Sequence, residues 1–369
     1  VLEEVLEVAG TQISPHKSAE RPAPRIRPGL AGVPLPEVIL DCRTVYDFLL
    51  SGCFECGVLD DLLPEDRTWL TENRAALAAD LGSAECAQVC TPFTTELGRM
   101  LAFHPEIKTA RDLVAAVDTL SDAELLDALV GELVESPELG TITRRALGGD
   151  AAAYAELGAQ LSAHKGHHVL PDSFDVLAPM TRRALHAWLP RFEKIQDRVA
   201  RLIERDVSAR SKADLEADPM TFVEQATSGV RLLPEPSVHR IILAPTYFGR
   251  PYNSLSRIGD TQLVCYPIAD SALEAAGTTV PPAATVRLYR ALGDDTRLRI
   301  LRLLAERDRY LTELAAELEL SKPTVSHHLA QLRSAGLVTW NEQGNLTYYT
   351  LRRDRIQDAG PELSAFLAR

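Results

Sequence analysis

Apolar residues recur at three- and four-residue spacing from Thr44 to about Glu216, a period that predicts one helix after another. The longest such pattern runs from Thr181 to Asp206, where Leu185, Trp188, Leu189, Phe192, Ile195, Val199, Leu202 and Ile203 form one stripe. Pro190 lacks an amide hydrogen and crowds the preceding turn, so it is expected to bend or divide this helix. Between Asp112 and Val134, Ser121 followed three residues later by Glu124 marks a helix start, each side chain satisfying a free amide of the first turn. A short strand at Val38 to Leu40 precedes a first helix at Thr44 to Leu50. The texture changes at Val238: the β-branched run to Leu243 and the stretch Thr261 to Ile268 read as strands, with Gly259-Asp260 as the turn between them.

These patterns divide the chain. Prolines 15, 22, 24, 28, 34 and 36 block helix and ladder alike, which makes residues 1–36 a mobile leader. Residues 37–237 form a mainly helical sensor or effector domain, residues 238–280 a strand-containing junction, and residues 284–369 a domain of their own. At 369 residues the chain exceeds what one core usually organises. Its 46% apolar and 25% charged residues are those of a globular protein. No uninterrupted apolar run reaches the ~18 residues of a membrane helix, so no membrane partner is expected. Six scattered cysteines without a secretory leader fit a cytoplasmic protein.

The C-terminal segment carries the chemistry. Asp294 and Asp295 open a helix in which Leu298, Ile300, Leu301, Leu303 and Leu304 alternate with arginines, acid at the start complementing the helix dipole. Thr312 is expected to cap a second helix, and after a three-residue turn Ser321 caps a third, Lys322 to Ser334. There Val325, Leu329 and Leu332 share one face, leaving Lys322, Thr324, Ser326, His327 and Gln331 outward. A short helix with a polar free face suits the major groove of double-stranded DNA, where base edges present distinguishable donors and acceptors. His327 and Gln331 are the expected base readers, and Lys322, Thr324 and Ser326, with Thr312, the expected phosphate or register contacts. Val338 to Asn341 and Leu346 to Leu351 form a hairpin wing around Gln343-Gly344-Asn345, followed by Arg352 and Arg353, placed for phosphates. The fold class is therefore mainly α with small β elements, a helical N-terminal domain followed by a C-terminal winged helix-turn-helix. Net charge is −13, yet residues 284–369 hold 13 Lys and Arg against 11 Asp and Glu, so the acidity lies upstream and this domain can approach DNA.

Residues 286–353 resemble the winged-helix domain of arsenic-repressor-type (ArsR family) regulators. The matching text is Ala291-Leu292-Gly293-Asp294-Asp295-Thr296-Arg297-Leu298-Arg299-Ile300, then Ser321-Lys322-Pro323-Thr324-Val325-Ser326-His327-His328-Leu329 and Ser334-Ala335-Gly336-Leu337-Val338. The resemblance implies a homodimer built on the domain's first helix and its C-terminal helix, Asp354 to Ala368. It also implies binding to an inverted repeat as a repressor released by a signal. The family's metal chemistry does not carry over: Leu311 to Leu318 holds no cysteine, and the C-terminal helix holds no histidine. Glu342 stands at the wing tip where the family often has a basic residue.

Other constellations have two readings. Cys53, Cys56, Cys86 and Cys90 could bind a soft metal or act as a redox set, which would make the protein a thiol- or metal-responsive regulator. They lack the paired knuckles of structural zinc sites, and packing is the expected role. His164, His167 and His168 read as a solvated turn, so neither metal nor cofactor is expected. Tyr247, Phe248, Arg250, Tyr252 and Tyr266 could line a pocket for a small-molecule effector, or pack a domain junction. No nucleophile elbow or phosphate-cradling glycine loop is present, so no enzyme is expected. A winged helix that binds only proteins is the competing class, but it would favour apolar or acidic residues on the recognition face.

Overall fold

The computed structural model describes residues 34–53, 57–82, 86, 96–165, 170–210, 212–230, 232, 235–273, 282–343 and 346–368. Most of the leader, the 274–281 linker, His167, His168, Cys56, Cys90 and the wing-tip residues Gly344 and Asn345 lie outside them.

Strand β1 (Glu37–Leu40) leads into α1 (Val45–Gly52) and α2 (Pro64–Leu81). Then follow α3 (Leu97–Phe103), α4 (Ala110–Thr119), α5 (Asp122–Leu129), α6 (Gly131–Glu135), α7 (Gly140–Leu147) and α8 (Ala151–Lys165). Next come α9 (Leu177–Phe192), α10 (Gln196–Ser208), α11 (Lys212–Ala217) and α12 (Pro219–Ala226). The expected capping box is present: Ser121 Oγ accepts from the Glu124 N–H (3.3 Å), and the Glu124 carboxylate accepts from the Ser121 N–H (2.8 Å). The long 181–206 stripe is two helices, divided by residues 193–195 just past Pro190. Trp188 is the hub of the stripe, fully buried and donating its indole N–H to Ser51 Oγ at 3.0 Å.

The strands follow as β2 (Arg240–Thr246), β3 (Ser254–Ile258) and β4 (Thr261–Pro267). The 238–280 segment, expected as a junction, supplies three strands of one sheet ordered β1-β2-β4-β3. In it β1, β2 and β4 run parallel and β3 antiparallel, and Leu40 sits beside Leu243, which sits beside Val264. The Gly259-Asp260 turn joins β3 to β4, so sequence reading missed a strand. Both faces of β2 are covered. Ile242 and Ala244 join the helical core around Trp188, while Ile241 and Leu243 pack with Phe222, Val223 and Val264 on the other side. Burial on two faces is what a central parallel strand requires, and it explains the unbroken apolar run at 241–245. One face of the sheet thus shares a core with the helices around Trp188, and α12 covers the other.

A separate core builds the C-terminal domain: α13 (Ala283–Leu292), α14 (Asp295–Glu306), β5 (Arg309–Tyr310), α15 (Leu311–Leu318), α16 (Lys322–Ser334), β6 (Val338–Gln343), β7 (Leu346–Leu351) and α17 (Arg353–Leu367). Strand order β5-β7-β6 makes the small wing sheet. The two units touch through charge. Arg287 on α13 pairs with buried Asp61, Asp270 accepts from the Ala284 N–H and from Arg250, and Arg290 lies 3.7 Å from Asp60. A second contact joins Arg352 to the Ser228 carbonyl at 2.7 Å. Gly229 beside it has φ 112°, and a Cβ there would stand 2.6 Å from Thr339 Cγ2, so close approach and backbone conformation both call for glycine.

Candidate nucleic-acid interface

Helix α16 is the expected recognition helix. Ser321 caps it, its hydroxyl accepting from the Thr324 N–H at 3.3 Å. Val325, Leu329 and Leu332 are all buried to 1% exposure or less, which anchors its back on α14 and α15. The front stays open: Lys322, Thr324, Ser326 and His327 are exposed and Gln331 is half-buried. His328 turns inward, with Nδ1 buried and 3.7 Å from Asp294 Oδ1, so it belongs to the packing side of the helix.

Behind this face stands a residue to which sequence reading assigned no role at the site. Arg297 on α14 is largely buried; its Nε donates to the Ala291 carbonyl (2.8 Å) and its Nη2 to the Arg290 carbonyl (2.7 Å). Its remaining Nη1 donates to Gln331 Oε1. Gln331 Nε2 in turn lies 2.8 Å from His327 Nε2. The Arg297 N–H also holds the Asp294 carboxyl below the usual carboxylate range, as an N-cap should. The advance signals for Arg297 were its place one turn inside that cap and within the family-like text 291–300.

Two expectations are revised, the Thr312 cap and the Arg352 phosphate contact. Thr312 is exposed but does not cap α15: Tyr310 occupies the N-cap position, and its N–H donates to Glu313 at 3.1 Å. Arg352 is a domain contact, its guanidinium held by the Ser228 carbonyl and by Asp354 at 2.9 Å, which leaves it poorly placed for phosphate. Arg353 remains exposed while donating to the Ala305 carbonyl at the end of α14.

The aromatic cluster does not form a pocket wall. Tyr247, Phe248, Arg250 and Tyr266 are at most 1% exposed, and their polar groups have protein partners. Tyr247 donates its hydroxyl to Asp66 and accepts from the Leu63 N–H, both at 2.8 Å. Asp47 accepts from the N–H groups of Tyr247 (2.9 Å) and Phe248 (2.7 Å). Arg250 binds the carbonyls of Asp61 and Ile268 as well as Asp270. Tyr266 lies against Asp206 and beneath Arg210. Only Tyr252 is exposed among the five. The effector-pocket expectation therefore gives way to packing: Asp47, Asp61, Asp66, Asp206 and Asp270 occupy the donors an effector would have met. Cys53 does not simply pack either; it is buried and disulfide-bonded. Among the described residues no three His, Cys, Asp or Glu side chains gather as a metal site.

Comparison with known proteins matches residues 294–339 to the family described as bacterial regulatory protein, arsR family. An uncharacterized HTH-type transcriptional regulator of Methanocaldococcus jannaschii is 39% identical over 72 residues, 19% of this chain and 81% of that protein. The transcriptional repressor SdpR of Bacillus subtilis is 35% identical over 72 residues, 20% of this chain and 80% of that protein. The arsenic resistance transcriptional regulator ArsR1 of Pseudomonas putida is 45% identical over 65 residues, 17% of this chain and 51% of its own length.

Proposed function

The chain belongs, through its C-terminal domain, to the arsR family of bacterial regulatory proteins, and from that premise we propose that it is a sequence-specific DNA-binding transcriptional repressor, acting as a homodimer on an inverted repeat. The observation that carries this reading is the open polar front of α16, neither acidic nor apolar, standing on a fully buried back. Lys322, Thr324 and Ser326, with Thr312 and Arg353, hold phosphates and register, and His327 and Gln331 read bases. The protein-only alternative has no apolar or acidic patch on this face to support it.

Affinity measured against a sequence selected from a random duplex pool, at several salt concentrations, tests the assignment. Lys322→Ala is expected to weaken binding to all sequences alike and to flatten the salt dependence by about one unit. His327→Ala is expected to cost ~1–3 kcal/mol on the selected sequence and little on a random one. Unchanged binding in both variants contradicts the reading.

The homodimer is supported by α17, which packs on α13 through the Tyr289 hydroxyl bond to the Ala359 carbonyl (2.8 Å) yet leaves Ile356 38% and Leu367 73% exposed, with half-buried Leu363 beside them. Two such domains read half-sites about one helical turn, ~34 Å, apart. Ile356→Asp with Leu363→Asp is expected to give a monomer by sedimentation and to abolish paired half-site binding. A dimer that persists in this variant removes α17 from the interface.

The N-terminal unit is the regulatory arm in this reading. Arg287 supports it: while its guanidinium meets Asp61 and lies 3.7 Å from Asp270, its Nε donates to the Ser334 carbonyl in the last turn of α16 at 3.3 Å. A ligand signal that shifts Asp61 or Asp270 reaches the recognition helix through one side chain.

A further inference from the structure

Arginine has donors and no acceptor, and that asymmetry propagates across the recognition face. Because Arg297 Nη1 donates to the Gln331 amide, the atom facing it must be the carbonyl oxygen. The amide NH2 then faces His327 Nε2 at 2.8 Å, and two donors cannot share that contact, so Nε2 is the unprotonated acceptor of a neutral ring. The ring proton of His327 therefore sits on Nδ1. Nδ1 has no protein hydrogen-bond partner among the described residues, and the ring is exposed. One Gln331 amide hydrogen is likewise left over. His327 and Gln331 lie four residues apart, one above the other on the outer face of α16.

We propose that Arg297 is a positioning residue for specificity: through Gln331 it fixes His327 as the Nδ1–H tautomer, so that both readers offer donors and the base edges they select are acceptors. The inference rests on the DNA-binding reading above and names its chemical target. In the major groove adjacent acceptors are the mark of guanine, with N7 and O6, while thymine offers O4 alone. Cytosine presents its N4 amino group, and adenine sets its N6 amino group beside a single N7 acceptor, so a second donor there would meet a donor. Without Arg297 the Gln331 amide could turn over and His327 could switch tautomer, and the same two residues would then tolerate either kind of edge. Fixing both in the free protein removes that freedom before DNA arrives.

Gln331→Glu is the discriminating variant. A glutamate keeps one oxygen for Arg297 and presents the other to His327, which must then carry a proton on Nε2 to donate. Two measurements on the full chain read this, both made at alkaline pH, where the ring is neutral and that proton is its only one. The tautomer is read without DNA, from the ring nitrogen shifts of 15N-histidine-labelled protein, with His327→Ala giving the assignment. The base preference is read by selection from a random duplex pool, comparing the parent with the variant. Expected are the Nδ1–H tautomer in the parent, Nε2–H in Gln331→Glu, guanine enriched at the position read by these side chains, and loss of that guanine by on the order of tenfold in the variant in favour of cytosine or adenine. An Nε2–H tautomer in the parent overturns the proposal, as does a variant whose selected sequence is unchanged. Since the tautomer needs no DNA, failure of the relay is distinguishable from failure of DNA binding.

Discussion

Arg287→Ala is expected to destabilise the chain by about 3–5 kcal/mol, the cost typical of removing one partner from a buried ion pair. The size follows from where the charge is left. Asp61 is 3% exposed and loses its ion-pair partner, whereas Asp270 keeps Arg250 and the Ala284 N–H. The Ser334 carbonyl at the end of α16 also loses a donor. Most of the effect is thus a stranded carboxylate, not the net worth of the pair, and that distinction can be measured. Combining Arg287→Met with Asp61→Asn removes both charges and keeps the packing volume, so it is expected to recover much of the lost stability. Urea unfolding of the three chains checks this; an Arg287→Ala variant costing under about 1 kcal/mol would show that water reaches Asp61 and that the junction is looser than its geometry implies. Because the pair joins the two cores, unfolding of the Arg287→Ala chain is expected to separate into two steps, which circular dichroism and the fluorescence of Trp340, read with Trp69 and Trp188 of the N-terminal core replaced by Phe in both chains, distinguish.

The C-terminal domain was legible because its information is local. Caps at Asp294 and Ser321, an apolar face at Val325, Leu329 and Leu332, and a hairpin directly after Gly336 each lie within a few residues of what they specify. Three strands of the N-terminal sheet were legible one by one, but their pairing was not, because β1 pairs with a strand some 200 residues away, and four residues cannot announce a partner that distant. β2 was read from its β-branched apolar run, since two-sided burial leaves no alternation, whereas β3, with Arg257 and serines at 254 and 256, reads as loop.

The site misreadings share one cause. A cation beside a recognition helix looks the same whether it faces phosphate, as Lys322 is free to do, or a carbonyl brought from elsewhere, as Ser228 is to Arg352. Likewise the Tyr247-to-Tyr252 cluster has the composition of a ligand site, because aromatic area with polar tips serves a pocket and a packed interior equally well. Buried aspartates decided between the two, and the partners of Asp47, Asp61 and Asp66 lie about 180 to 200 residues away in sequence.

One of those aspartates should make stability depend on pH in an unusual direction. Asp47 is fully buried, and burial pushes its carboxyl up to about 7 against the pull of the Phe248 and Tyr247 N–H groups that donate to it. In the unfolded chain an aspartate titrates near ~3.9. Below that value both states hold the proton and the stabilising contribution is complete. As pH rises from there to about 7 the unfolded chain releases its proton while the folded one keeps it, so stability is lost at up to about 1.4 kcal/mol per pH unit. Asparagine imitates the neutral acid, and its single oxygen can keep the two shorter bonds, 2.9 Å to the Tyr247 N–H and 2.7 Å to the Phe248 N–H. Asp47→Asn is therefore expected to match the parent near pH 4 and to exceed it by on the order of 3–4 kcal/mol at pH 7.5. Carboxylates held low by their partners, such as Glu65 beside Arg198 or Asp112 at the Thr109 cap, act in the opposite direction but equally in both chains, and they cancel in the difference. Denaturant unfolding across that pH range measures it. An asparagine variant less stable than the parent at pH 7.5 would mean that the two backbone N–H groups outweigh burial and that Asp47 works as an ionised clamp on the turn after β2.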